Sequence, residues 1–319
     1  MTALSSVPRS QTKRRSTHWR QFRRELKRYQ LGYVFLAPAM IILIFVDFVP
    51  MARGMWTSLH SFSLFRPRSK PFVGLQNYRD LLHDSLFWRA LGQTAYYTLA
   101  SVACQFLLGL LAAVLLNQSV RFRAFFRGLV LIPWVVPGAL AGMMFALLFT
   151  SNGLVNTVLY HLGLTGGIIP ENYPWLSHGS TAMPVLIFTS AWKGFPFFAV
   201  MFLAAMQAVP SDLYEAARVD GASKARSFWH VTVPGIRATM LIASLLGLIW
   251  TFNSIDLIYV MTYGGPYYST TTLVMLAYQQ AFGVGQVGYA TAIAMVILVL
   301  MGLVTAAYLY AYRRLVRSI

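Results

Sequence analysis

The chain has 319 residues, 57% of them hydrophobic and 11% charged, with a formal net charge of +17. The charged share falls far below the roughly 25% of soluble domains, which excludes an ordinary water-soluble enzyme and points to lipid. A basic excess would also fit nucleic acid, but a nucleic-acid binder gathers its cations in one patch, whereas these sort by the two sides of a membrane.

Residues 1–31 form a basic tail carrying Arg9, Lys13, Arg14, Arg15, Arg20, Arg23, Arg24, Lys27 and Arg28. Such a tail reads as an orientation signal that is also drawn to anionic lipid, at about 1 kcal/mol per charge near the surface. Apolar stretches long enough to span, at roughly 20 residues each, follow at 32–53, 92–116, 128–150, 182–206, 238–261 and 286–311. They predict an all-α membrane domain of six helices over 32–319. The first stretch is read as retained: it is too apolar, and its tail too long, for an ordinary cleaved signal, despite weak small-residue spacing from Ala37 to Ala39.

Beyond the tail, Arg121, Arg123 and Arg127 lie between helices two and three, and Arg218, Lys224, Arg226 and Arg237 between four and five. Arg313, Arg314 and Arg317 close the chain, so nineteen of the 26 Lys and Arg residues share one side. Six others (Arg53, Arg66, Arg68, Lys70, Arg79 and Arg89) fall in the first outer loop, and Lys193 sits within a helix. By the positive-inside rule both termini of this multi-pass membrane protein are expected in the cytoplasm.

Cys104 is the single cysteine and the six histidines show no metal spacing, so neither a disulfide framework nor a metal site is expected. Asp80 and Asp84 share an outer-loop segment, where capping or pairing with Arg79 is the expected role rather than acid–base catalysis. No Gly-Lys-Ser or Gly-Lys-Thr phosphate loop occurs, so ATP is not expected to bind this chain.

The segment from Gln207 to Pro234 is long for a connection and has its own helical grammar. Asp212 and Glu215 are spaced as a capping box for a short helix through Leu213, Ala216, Ala217 and Val219. Gly221 should end that helix, Ser223 should cap a second through Phe228 and Val231, and Pro234 should stop the second before helix five. Two short helices on the membrane face would make a rigid lever that a soluble partner can push.

Glu215-Ala216-Ala217, then Asp220-Gly221-Ala222, Val231 and Val233-Pro234 keep one spacing, which resembles the EAA loop of binding-protein-dependent ABC permeases. Phe72 to Tyr78 in the outer loop, Trp192 to Phe197 in helix four and Gly264-Gly265-Pro266 after helix five extend the resemblance to the maltose-type carbohydrate permeases, over roughly residues 31–316. The Gly-Gly-Pro turn is typical of the first permease of a pair. The resemblance implies a type I importer fold in a bacterial inner membrane, a second homologous permease, two ATP-binding subunits that hold ATP and Mg and dock on this loop and its counterpart, and an extracytoplasmic solute-binding protein. It also implies that ATP binding turns the permease pair outward and that hydrolysis resets it, each step coupled through differential binding of the two states.

Matching the maltose permease without gaps places its sugar-contacting positions on Ser190, Gly194, Phe197, Thr251 and Ser254, with Trp192 and Trp250 nearby. Small residues of this kind also let membrane helices pack closely. Lys193 departs from the maltose pattern, and an ammonium inside a span needs a partner. The choices are Asp256, Asp47, backbone carbonyls or an anionic substrate such as a uronate oligosaccharide or a sugar phosphate. The expected function is passage of a carbohydrate, an oligosaccharide, without catalysis by this chain. An ion-driven secondary transporter would instead call for an ionisable relay and clear inverted repeats. A membrane transferase would need a clustered acidic or metal site. Nine scattered acidic residues support neither.

Overall fold

The computed structural model describes residues 30–118, 121–164, 170 and 172–317; the tail before residue 30 lies outside them. Contacts divide the chain into two compact units, Met1–Trp56 and Thr57–Ile319. α1 (Gln30–Leu43) passes through a π-turn at Ile44–Phe48, which holds Asp47, into α2 (Val49–Ser58), and the first unit ends within α2 at Trp56. Leu31, Phe35 and Phe45 expose their side chains, as a helix facing lipid does.

Among its described residues the second unit consists of helices joined by turns and loops, with no strand beyond two isolated bridges, His60 with Phe72 and Ser63 with Gln286. The segment leading into α3 (Gln76–His83) folds around buried Asn77, whose Nδ2 donates to the carbonyls of Ser58 at 2.7 Å and His60 at 3.1 Å. After α3, Asp84 caps the long α4 (Ser85–Asn117) by accepting from Leu86 N at 2.8 Å, and also accepts from Tyr289 Oη at 2.7 Å. The capping role of Asp84 is thus realised, and no Arg79 pair forms among the described residues.

The third span is not one helix. It breaks into α5 (Arg123–Val135) and α6 (Gly138–Leu148), bent by 93°. Val136 is extended at the break, as a residue before proline prefers, and Pro137 has no N–H to continue the ladder. A short α7 (Leu154–His161) then leads to α8 (Gly179–Gln207).

α4 and α8 form the centre of this unit. A methyl added at Gly109 of α4 would overlap Phe198 and lie 3.0 Å from Ala199 N and Phe195 O, so the two backbones touch where Gly109 has no side chain. Around this contact Phe106, Phe198 and Phe202 pack edge to face, at 5.1–6.2 Å between rings.

The loop after α8 forms α9 (Ser211–Val219) and α10 (Lys224–Ser227). Helix α10 does not stop at Pro234: a π-turn at Phe228–Thr232 joins it to α11 (Val233–Asn253), with Pro234 in the first turn, where a missing N–H costs little. A second break at Ser254 and Ile255 separates α11 from α12 (Asp256–Met261). Then α13 (Leu273–Tyr278), tied to α4 by Leu273 N donating to Thr94 Oγ1 at 2.8 Å, precedes α14 (Val287–Arg317). Among the described residues five helical segments are long and apolar enough to span a membrane, the one from Lys224 to Met261 being interrupted, and six are reached if the bent pair α5 and α6 counts as one span.

Candidate functional site

Both interruptions sit in apolar spans, where loose backbone is tolerated only if protein buries it or it lines a polar cavity. They meet. Asp256, the first residue of α12, places its carboxylate against Gly138, the first residue of α6, so closely that a methyl at Gly138 would overlap Oδ2. The carboxylate also accepts from Ser254 Oγ at 2.9 Å. An anion at the converging starts of two helices offsets their positive ends and takes up donors freed by the breaks.

This junction forms one wall of a cavity of about 160 Å³, bounded by α4, α5, α8, α11 and α12. Eight of the nine expected path residues line it: Ser190, Lys193, Gly194, Phe197, Trp250, Thr251, Ser254 and Asp256. Ser190 and Thr251 present hydroxyls from largely buried side chains, while Phe197 and Trp250 meet edge to face at 4.8 Å. Trp250 keeps 52% of its surface exposed, so the cavity opens on the surface of this unit.

Trp192, expected nearby, does not line this cavity. Its ring packs in an aromatic cluster 5.1 Å from Phe145, because one helical step from Lys193 turns it away from the cavity. Sequence reasoning also missed Gln105 and Trp134, which line the cavity as well, beside Phe198, Gly247 and Leu257. Gln105 Nε2 donates to both the carbonyl and Oγ of Ser190, each at 3.1 Å, and its amide fills the space left by Gly194. A signal was available, since a glutamine inside an apolar span is costly unless it has partners.

Lys193 is half-buried at the cavity. It makes no pair with Asp256, whose carboxylate is turned to Ser254 and Gly138, and no acidic side chain pairs with it among the described residues of this unit. Asp47, the other carboxylate considered, belongs to the first unit. No group of three or more metal-binding side chains occurs among the described residues.

The loop of α9 and α10 is the second candidate site. Gly221, at φ +75°, ends α9 in the left-handed region that an added side chain would strain, and Ala222 N donates to Ala217 O at 2.8 Å. Ser223 caps α10 by accepting from Arg226 N at 3.3 Å. The expected capping box does not form: Pro210 occupies the cap position, Asp212 lies in the first turn, and Glu215 faces Arg218 at 3.9 Å in an exposed pair that contributes little. Tyr214 Oη lies 3.0 Å from Thr232 Oγ1 and ties the lever to the base of α11. Glu215, Ala216, Asp220 and Pro234 are exposed, and so are the apolar side chains of Leu213, Val219 and Trp229. An exposed apolar patch rimmed by charge is how a docking face looks.

The arrangement agrees with known proteins. The model of the binding-protein-dependent transport system inner membrane component matches residues 105–317. The sulfoquinovosyl glycerol transport system permease protein of Agrobacterium fabrum is 37% identical, over 89% of this chain and 90% of its own length. The trehalose/maltose transport system permease protein of Thermococcus litoralis is 35% identical, over 88% of this chain and 92% of its own. Among solved structures, a chain of a bacterial ABC transporter that imports the acidic polysaccharide alginate superposes with a TM-score of 0.77 at 20% identity, covering 92% of this chain and 99% of that one.

Proposed function

Since the chain belongs to the family of inner-membrane components of binding-protein-dependent transport systems, we propose that the cavity at the two helix breaks is its half of a carbohydrate passage. One observation carries this reading: small hydroxyls, a glutamine amide, two aromatic rings and a cation converge on one opening at the interrupted part of the spans. Hydroxyls and amides exchange hydrogen bonds with sugar hydroxyls, and aromatic faces cover the apolar side of a sugar ring. The sugar-transporting relatives support carbohydrate as the cargo class.

In this reading the opening beside Trp250 faces a second, homologous permease, and a solute-binding protein delivers cargo on the side away from α9. The α9 and α10 face receives an ATP-binding subunit, one of two that hold ATP and Mg, which places this loop and both termini in the cytoplasm. No carboxylate among the described residues of its unit pairs with Lys193, so its ammonium favours an anionic sugar. A charge-assisted hydrogen bond contributes about 1.5–3 kcal/mol.

The test is ATP hydrolysis by the assembled importer in lipid, with its binding protein loaded in turn with neutral and acidic oligosaccharides. Stimulation only by a loaded binding protein supports the reading. Movement of solute by this chain alone down an ion gradient would end it.

A further inference from the structure

At the end of α8 that leads into the α9–α10 loop, a second cluster has no role in the passage. Arg123 and Arg127 stand four residues apart on the first turns of α5 and share a face of that helix. With its amide oxygen turned towards them, Gln207 accepts from Arg123 Nη2 at 2.7 Å and from Arg127 Nη2 at 2.8 Å. Two guanidinium groups thus converge on one neutral oxygen. Both Nε atoms are buried and unpartnered, and neither arginine pairs with a carboxylate among the described residues. Each guanidinium offers five donors, so most of their capacity is unspent. The start of α5 adds positive potential of the same sign, and no side chain caps it. What the cluster lacks is an anion.

The neighbouring side chains identify the source of that anion. Phe122, Phe125 and Phe126 are 73%, 63% and 43% exposed, on the same short stretch as the arginines. Aromatic rings interleaved with cations at the end of a span mark the headgroup level of a bilayer. We propose that Arg123 and Arg127, braced by Gln207, hold the phosphate of an anionic phospholipid headgroup, with the three phenylalanines seated among its acyl chains. Forked guanidinium donors match a phosphate through paired hydrogen bonds, which an ammonium matches less well. The site lies beside α8, the helix that leads directly into α9, so an occupied site would steady the base of the lever.

The experiment uses the assembled importer in zwitterionic lipid discs, titrated with an anionic phospholipid, with bound lipid counted by native mass spectrometry. R123Q/R127Q should weaken binding about 30-fold, the loss of two surface charges at about 1 kcal/mol each. R313Q/R314Q removes two exposed cations at the end of α14 and should leave binding unchanged. R123K/R127K keeps the charge and loses the fork, and should fall between. Wild-type binding in R123Q/R127Q would overturn the proposal. So would loss of the ATP-binding subunits with lipid retained, which would make a partner carboxylate the anion. Should R123Q/R127Q fail to assemble, R123K/R127K decides, and wild-type affinity in that variant would overturn the fork.

Discussion

The Asp256 carboxylate rests against Gly138, so the start of α12 touches the start of α6 and two broken spans meet at their breaks. Neither break is stable alone in lipid, because each frees backbone donors and acceptors. Gly138→Ala places a methyl where Oδ2 now lies. Overpacking of this kind costs about 1–3 kcal/mol, so the variant should melt earlier in detergent, read by fluorescence-detected thermal unfolding. Asp256→Asn, which keeps the volume and removes the charge, should melt closer to wild type but lose transport.

The approach of α4 to α8 gives a second prediction. Gly109→Val would force branched carbons against Phe198 and the Ala199 and Phe195 backbone, at about 1–3 kcal/mol or more. Lower yield of folded protein and a lower melting temperature should follow. Gly92→Val, at a glycine of the same helix with open space around it, should leave both nearly unchanged.

Glu215 stands exposed at the middle of the α9 face. Glu215→Lys reverses its charge and sets it against Arg218 of the same helix. Folding should be kept, since exposed pairs contribute little, while hydrolysis stimulated by loaded binding protein should fall about tenfold or more, as for a charge lost from an interface. The comparison of stimulated with basal hydrolysis checks it.

Lys193→Met should lower transport of acidic oligosaccharides about ten- to a hundredfold, the value of one charge-assisted hydrogen bond. Transport of neutral ones should hardly change. Uptake of a labelled uronate oligosaccharide beside a neutral one of equal length reads this split.

The spans were legible because length and apolarity alone determine them, and Gly221 and Ser223 declared the turn between α9 and α10. The breaks were not. Val136-Pro137 carried a signal, but the apolar run continues through it, and only packing against α12 makes the interruption stable. Pro234 misled for the opposite reason: a π-turn shifts the ladder so that proline falls in a first turn, where its missing N–H is harmless. In the cavity, proximity in sequence placed Lys193 and Trp192 together, yet one residue of helical rotation sends the tryptophan into the core. Gln105 signalled a polar need inside an apolar span, but its partner Ser190 lies 85 residues away and only the fold brings them together.

The most direct test of the passage uses Ser254→Cys in a Cys104→Ser background, assembled with its partners in lipid. Labelling by a small water-soluble thiol reagent is followed during turnover with empty and loaded binding protein. The account predicts that Ser254→Cys labels from water and that loaded binding protein slows labelling severalfold. A cysteine there that never labels, or that labels equally with and without carbohydrate, would contradict it.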